Sequence, residues 1–530
     1  MYDLKTLVPW QKRDTIITAL LGVVTLLSRW PFHLNLLNNF DAINYALALD
    51  HFDIRLHQPQ PPGYPLYILV GRAFNLVFAD HLSALLWLST VFSAFAVIAV
   101  YLVGRDMFSR RAGLIAALLL TVAPVFWSRG IIAAPYTADL FASAIVVWLC
   151  YRTGVSSGNK LPWISALALG LVGAFRLQTM VFLFPLFLFA LYRRPWKVIV
   201  GAIVVAGGVF SAFFLPAMYV SGGPSAFSHD MRAIVPIFKS ADTLVRSTRV
   251  TRFMGNAVTI LRYTVVATGE LLLPLALLGY FTRAHWLRFW RNRELVFMAL
   301  WVFPTWIVYL LVWPGNLGTI LVCIAPFFLL AALGVDWLMQ QPGWGRAVAW
   351  AALLVVFVWH STLFILLPER PFSVYRKFNN FHALVDEVEG YRHKLALLND
   401  VPVDKTIVYA HDFRHIQYYS PQYRTFTPPA ISRSDPSVAK FIVSIDNGEL
   451  EGWSKVSLNS LIPAETERIV FFDLPSEALL AEQLPVREAS SGGYSLEILD
   501  IPAERTAQWT PDGLVIIARP TAFNLLRPEE

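Results

Sequence analysis

Long apolar runs joined by short basic turns fill the chain from about residue 15 to residue 367, and nothing else in the sequence limits its fold so sharply. A bilayer crossing needs roughly 20 mainly apolar residues as helix, because lipid offers no partner to an unpaired backbone group. By that measure the chain has about eleven spans, near 15–32, 82–104, 111–128, 135–151, 161–175, 177–192, 197–220, 258–281, 294–313, 317–339 and 347–367. Composition agrees: 56% of the 530 residues are hydrophobic and 15% are charged, where soluble globular chains carry about 25% charge. The class is a polytopic α-helical membrane protein, and the net charge of +7 is read as topology, not nucleic-acid binding.

Lys and Arg concentrate in alternate turns, most densely in TRAHWLRFWRNRE (282–294), which predicts a cytoplasmic N-terminus. With an odd number of spans, the C-terminal region then stands outside. Lys5, Lys12 and Arg13 precede a first apolar run that reads as an anchoring span, not a cleaved signal. Cys150 and Cys323 both fall inside apolar runs, so no disulfide framework is expected.

Two outer segments carry chemistry. The first, 38–67, holds Asp41, Asp50 and Asp53 together with His51 and His57, and ends in the stiff proline run QPQPPGYP. DAINYALAL can form a helix with Asn44 and Tyr45 on Asp41's face. Asp41, partly desolvated, would then serve as a general base, or it would be the N-cap of that helix. His57 with Asp50 or Asp53 could hold a divalent metal, although a structural His is the commoner outcome, and no metal ligand set is assigned. PLYILVGRAFNLVF (65–78) is too short and too polar to cross and reads as an interfacial helix.

The second segment, 221–257, carries Arg232, Lys239, Arg246, Arg249 and Arg252 on the outer side, against the positive-inside tendency. Such a loop is either a solvated face or a receptor for an anionic ligand. Between these segments, SRGIIAAPYTADL contributes Arg129, Tyr136 and Asp139, the last being either a second carboxylate of the site or a residue paired within its span. Arg176, at a tight outer turn, could grip a phosphate or reach the headgroups.

From Pro368 the composition becomes that of a soluble domain. A helix over 381–398 and strands over 406–410, 468–474, 494–499 and 513–519 predict a small α/β unit outside the membrane. The expected domains are therefore 1–367 in the membrane, with outer loops 33–81 and 221–257, and 368–530 outside it.

Asp41, the run PPGYPLYILVGRAFNLVF and the stretch LYLVGRDMFSRRAGLIAALLLTVAPVFWSRGIIA together resemble the GT-C membrane glycosyltransferases. The likeness is to the family-39-like branch of protein O-mannosyltransferases and the lipid A aminoarabinose transferase. PPGYPLY in particular is similar to a subgroup that includes a eukaryotic protein O-mannosyltransferase. The resemblance covers roughly the first 195 residues and afterwards only the topology. Gln60 stands where the family commonly has His, Ala42 follows Asp41 where an acidic pair is frequent, and Ala134 precedes Pro135-Tyr136.

What the resemblance implies is inverting transfer of a hexose or pentose from a polyprenyl-phosphate sugar, the donor substrate, to an unidentified acceptor hydroxyl on a protein, lipid or glycan. Asp41, with Asp139, would be catalytic. Arg176 and one or more of Arg232, Lys239, Arg246, Arg249 and Arg252 would bind the donor phosphate. Asn44, Tyr45, His57, Tyr64, Arg129 and Tyr136 would position substrate. A bacterial inner membrane suits such a chain. The rival reading is a transporter or flippase of lipid-linked substrates, disfavoured by the long outer segments and the lack of internal repeats.

Overall fold

The structure is a computed structural model that describes residues 8–228, 250–282, 292–312, 314–367, 380–432 and 435–519. The chain divides into two compact units, Met1–Val385 and Asp386–Glu530.

The first unit is helical. Its first ten helices are α1 (Lys12–Arg29), α2 (Phe40–Asp50), α3 (Pro65–Phe78), α4 (His81–Met107), α5 (Arg110–Thr121), α6 (Pro124–Arg129), α7 (Tyr136–Val155), α8 (Leu161–Phe175), α9 (Leu177–Leu191) and α10 (Trp196–Val220). Then come α11 (Val250–Thr268), α12 (Leu272–Phe281), α13 (Arg293–Leu311), a 3-10 helix (Leu317–Cys323), α14 (Ala325–Gln340) and α15 (Gly345–Ile365).

Among the described residues, six helices are long and apolar enough to cross a membrane, or up to eight if each of two bent pairs is one span. The count of about eleven differs because several apolar runs fold as pieces. Pro124 lacks an amide hydrogen and ends the run 111–128 as the two helices α5 and α6. Gly269, at φ +85°, starts a 97° bend between α11 and α12, and Pro326 follows a 61° bend between the 3-10 helix and α14. Helices α8 and α9 have 15 residues each, about 22 Å of rise, short of the roughly 30 Å hydrocarbon core.

Helix ends follow their caps. Asp80 and Ser109 accept hydrogen bonds from Ser83 N (2.8 Å) and Ala112 N (3.1 Å), satisfying donors the helices leave open. At the end of α4 predicted to face the cytoplasm, fully buried Asp14 meets Arg110 Nε at 2.9 Å and Arg105 Nε at 3.4 Å, and accepts from Tyr101 at 2.6 Å. Helices α4 and α5 cross at Gly104 and Gly113, where a Cβ on Gly113 would lie 2.5 Å from the Tyr101 carbonyl oxygen. The short helix expected over 65–78 is present as α3, with Leu76 and Val77 strongly exposed.

The second unit holds an eight-stranded sheet. Strands β1 (Thr406–Tyr409), β2 (Arg424–Phe426) and β6 (Arg468–Phe471) are its parallel heart, with β1 between the other two. β4 (Val438–Asp446) runs antiparallel to β2, and β3 (Ala430–Ile431) and β5 (Glu449–Ser457) both pair with β4. β8 (Tyr494–Asp500) joins β6 on the other flank and carries β7 (Arg487–Ser491). β9 (Arg505–Thr510) and β10 (Gly513–Ala518) form a separate hairpin, and Tyr409, Phe426, Trp509 and Leu514 meet in the core. The four strands expected from sequence are present as β1, β6, β8 and β10, and the expected helix is α16 (Phe381–Asn399). The β4–β5 hairpin was not expected, although Asn447-Gly448 at its tip, both with positive φ, is a strong hairpin signal.

Candidate active site

Asp41 is the second residue of α2, not its cap. Asn39 occupies the cap and accepts a hydrogen bond from Ala42 N at 2.9 Å, so the capping reading of Asp41 is corrected. Freed from that duty, the Asp41 carboxylate accepts no hydrogen bond among the described residues. Burial raises its pKa above the ordinary aspartate value, and the Arg176 charge partly offsets the rise.

Tyr45, one turn along α2, is buried against Tyr64 and Tyr67, with ring centroids 5.6 and 5.1 Å away in edge-on contacts. Its hydroxyl accepts from Gln60 Nε2 at 2.7 Å. Burial raises the pKa of Tyr45 and pushes that of Tyr64 up to about 12, so both remain neutral hydroxyls at ordinary pH. Tyr64 enters α3 at φ +138°, a conformation side chains rarely adopt, directly after Gly63 at φ +113°. Such a backbone, held in place by surrounding packing, is typical of functional segments. Asn44 is fully buried, and neither end of its amide has a hydrogen-bond partner among the described residues.

Asp139, in the first turn of α7, accepts from Arg176 Nη1 and, at 3.2 Å, from Thr179 Oγ1. The sequence left two alternatives for Asp139, and the geometry is that of the paired residue. Tyr136 lies between two cations, with the Arg129 guanidinium 5.5 Å and the Arg176 guanidinium 5.7 Å from its ring centre. Its hydroxyl accepts from Asn316 Nδ2, while Asn316 Oδ1 caps the 3-10 helix at Gly318 N, 2.8 Å away. Gly318 lies flat on the ring, where a Cβ would come within 2.5 Å of Tyr136 Cδ2. Arg176 also lines a shallow crevice formed by Pro62–Pro65, Gly173–Leu177 and Phe214.

The two further loop aspartates are engaged elsewhere: Asp53 with Arg55 Nη2 at 2.6 Å and Asp50 with His81 Nε2 at 3.1 Å. His57 closes the short turn Ile54–Leu56 with left-handed φ 56°, its amide donating to the Ile54 carbonyl. Among the described residues no group of three or more His, Cys, Asp or Glu converges as a metal site. Arg232, Lys239, Arg246 and Arg249 lie outside the described residues, as does the side chain of Arg252.

Gln60, Thr179, Asn316 and Gly318 belong to the arrangement and were not expected from sequence. For the last two a signal existed: Pro314-Gly315-Asn316 is turn punctuation immediately before a run that was read as one continuous span.

Solved membrane transferases share the fold of this chain. ArnT from Cupriavidus metallidurans in the apo state matches with TM-score 0.56 at 13% identity, over 91% of this chain and 97% of that one. The same protein bound to undecaprenyl phosphate matches with TM-score 0.54 at 11% identity, over 92% and 97%. The apo oligosaccharyltransferase of Archaeoglobus fulgidus matches at 13% identity with TM-score 0.48, over 78% of this chain and 64% of that one, so the chain spans less than two thirds of its length. No curated protein sequence matches the chain. The fold is that of the GT-C membrane glycosyltransferases, with a strand-containing C-terminal unit. Residues 52–199 match the family model of the protein O-mannosyl-transferase TMEM260 N-terminal domain, and over the rest of the chain the likeness is one of fold.

Proposed function

We propose that the chain is a multi-pass membrane glycosyltransferase that moves a sugar from a polyprenyl-phosphate donor to an acceptor hydroxyl on the extracytoplasmic face. The observation that carries this reading is the Asp41 carboxylate, free of hydrogen bonds among the described residues and within electrostatic reach of Arg176, on a GT-C fold. The acceptor O–H gives its proton to Asp41 as its oxygen bonds to the anomeric carbon. The bond from that carbon to the phosphate oxygen breaks on the opposite face, so the configuration inverts and the electron pair leaves with the lipid phosphate.

Arg176 neutralises that leaving phosphate, aided by the outer basic segment 221–257, in which Arg232, Lys239, Arg246, Arg249 and Arg252 are the candidates. A phosphate needs little further activation as a leaving group. Asn44, Tyr45, Tyr64, Arg129 and Tyr136 shape the pocket around the sugar, and His57 lies in the same outer segment. The N-terminus is cytoplasmic. The membrane portion, 1–367, carries the chemistry, and 368–530 is an extracytoplasmic domain. The ArnT form with undecaprenyl phosphate supports a lipid-linked donor for this fold.

The test is transfer from a panel of radiolabelled polyprenyl-phosphate sugars by the purified chain and by Asp41→Asn. One donor consumed by wild type and spared by the variant supports the proposal. Equal behaviour of the two proteins removes Asp41 as the base and turns attention to movement of the lipid-linked substrate across the bilayer.

A further inference from the structure

Asp139 has both carboxylate oxygens engaged inside the protein, one by Arg176 and one by Thr179, and the residue is 3% exposed. It is neither a free base nor a spare ligand. Arg176, in contrast, keeps 12% of its side chain exposed and lines the crevice beneath the proline run. Its guanidinium has five N–H donors, and the Nη1 bond to Asp139 is the one hydrogen bond it makes to the protein among the described residues. A largely buried cation with most of its donors unspent therefore stands at the crevice, paired with a buried anion.

We propose that Asp139 is a positioning residue for the donor's phosphate, holding the Arg176 guanidinium toward the crevice and tempering its charge so that the lipid phosphate leaves after transfer. The inference rests on the glycosyltransferase reading above. Its chemical basis is a change of charge during the reaction. The donor is a phosphodiester carrying one negative charge, whereas the product is a phosphomonoester that gains most of a second near neutral pH. An Arg176 without a counter-ion would favour the product over the substrate and hold it. With Asp139 behind it, the same guanidinium still orients the donor bidentately, but its net field is small.

The same guanidinium stands over the Tyr136 ring, whose hydroxyl accepts from Asn316, so the pairing with Asp139 also sets its place beside that phenol.

The experiment measures inhibition of sugar transfer by added polyprenyl phosphate, using the full chain in lipid nanodiscs, for wild type, Asp139→Asn and Asp139→Asn/Arg176→Gln. For Asp139→Asn the expected result is an inhibition constant about tenfold lower, with a lower donor KM and a kcat limited by product release. A second carboxylate at the reacting atoms would behave oppositely: kcat would fall a hundredfold or more with the inhibition constant unchanged or higher, and that result overturns the proposal. If Asp139→Asn does not fold, the double variant decides, because removing both charges of a buried pair is tolerated far better than removing one. A folded double variant supports the counter-ion role, and a misfolded one shows that Asp139 does something beyond Arg176 and overturns it. Failure of wild type to transfer from, or bind, any polyprenyl-phosphate sugar removes the glycosyltransferase reading itself, before any variant is compared.

Discussion

Gln60 Nε2 donates a 2.7 Å hydrogen bond to the hydroxyl of Tyr45, so the proline run is tied to the turn of α2 that follows Asp41. A His at this position could present an N–H to the same phenol as Gln does. Gln60→Leu should therefore lower stability by about 1 kcal/mol, the usual net worth of a buried hydrogen bond, and reduce transfer, whereas Gln60→His should retain most of both. Thermal melting in detergent, followed by rate measurement, checks this.

The pH dependence of transfer has a definite sign. Burial raises the Asp41 pKa, and a base must be ionised, so kcat/KM should fall as pH drops through a value above the ordinary aspartate value of about 3.9. Arg176→Gln removes the opposing charge and should move that limb higher still. An acid limb at or below the ordinary value would count against Asp41 as the base.

The same shift has a consequence for folding. A carboxyl whose pKa is raised in the folded chain loses stability as pH climbs from the unfolded value through the folded one, since the native state holds the proton more tightly. At neutral pH, Asp41→Asn should thus melt at or above the wild-type temperature while transfer falls by about 10²–10⁴-fold. A lower melting temperature would mean the lost activity reflects damage to the fold.

Asn316 both caps the 3-10 helix and holds Tyr136, so Asn316→Ala should cost about 1 kcal/mol from the cap alone. It should also slow transfer by loosening the ring between Arg129 and Arg176. Asn316→Asp keeps the cap acceptor but loses the donor to Tyr136. Comparing the two variants by melting and by rate separates the two roles.

Gly113→Ala tests the helix crossing that carries α4 and α5. The added methyl would press on the Tyr101 carbonyl oxygen and the Arg105 amide, both backbone groups that cannot turn aside. A loss of about 1–3 kcal/mol is expected, read as a reduced yield of monodisperse protein and a lower melting temperature.

Much of this was legible in order along the chain. Asp41, the proline run and α3 follow from local rules: an acid opening a short amphipathic helix, prolines that forbid helix, and an apolar stretch too short to cross. The helix boundaries of α4, α7, α10, α13 and α15 lie within a few residues of those expected, because hydropathy alone sets them. The breaks were harder. Gly269 and Pro326 sit in runs whose mean hydropathy is that of a span, and averaging over a window erases a single-residue hinge.

Pairings between distant parts of the chain could not be read at all. Asp139 and Arg176 are 37 residues apart, and Tyr136 and Asn316 are 180 apart, so no periodicity connects them. The sequence by itself determined that this chain is built of apolar membrane helices and where the longest of them lie, because burial of apolar runs and helix capping act over neighbouring residues. Only the tertiary structure decided which carboxylate is free and which is spent on an arginine, because that depends on which charges packing brings within a few ångströms of one another.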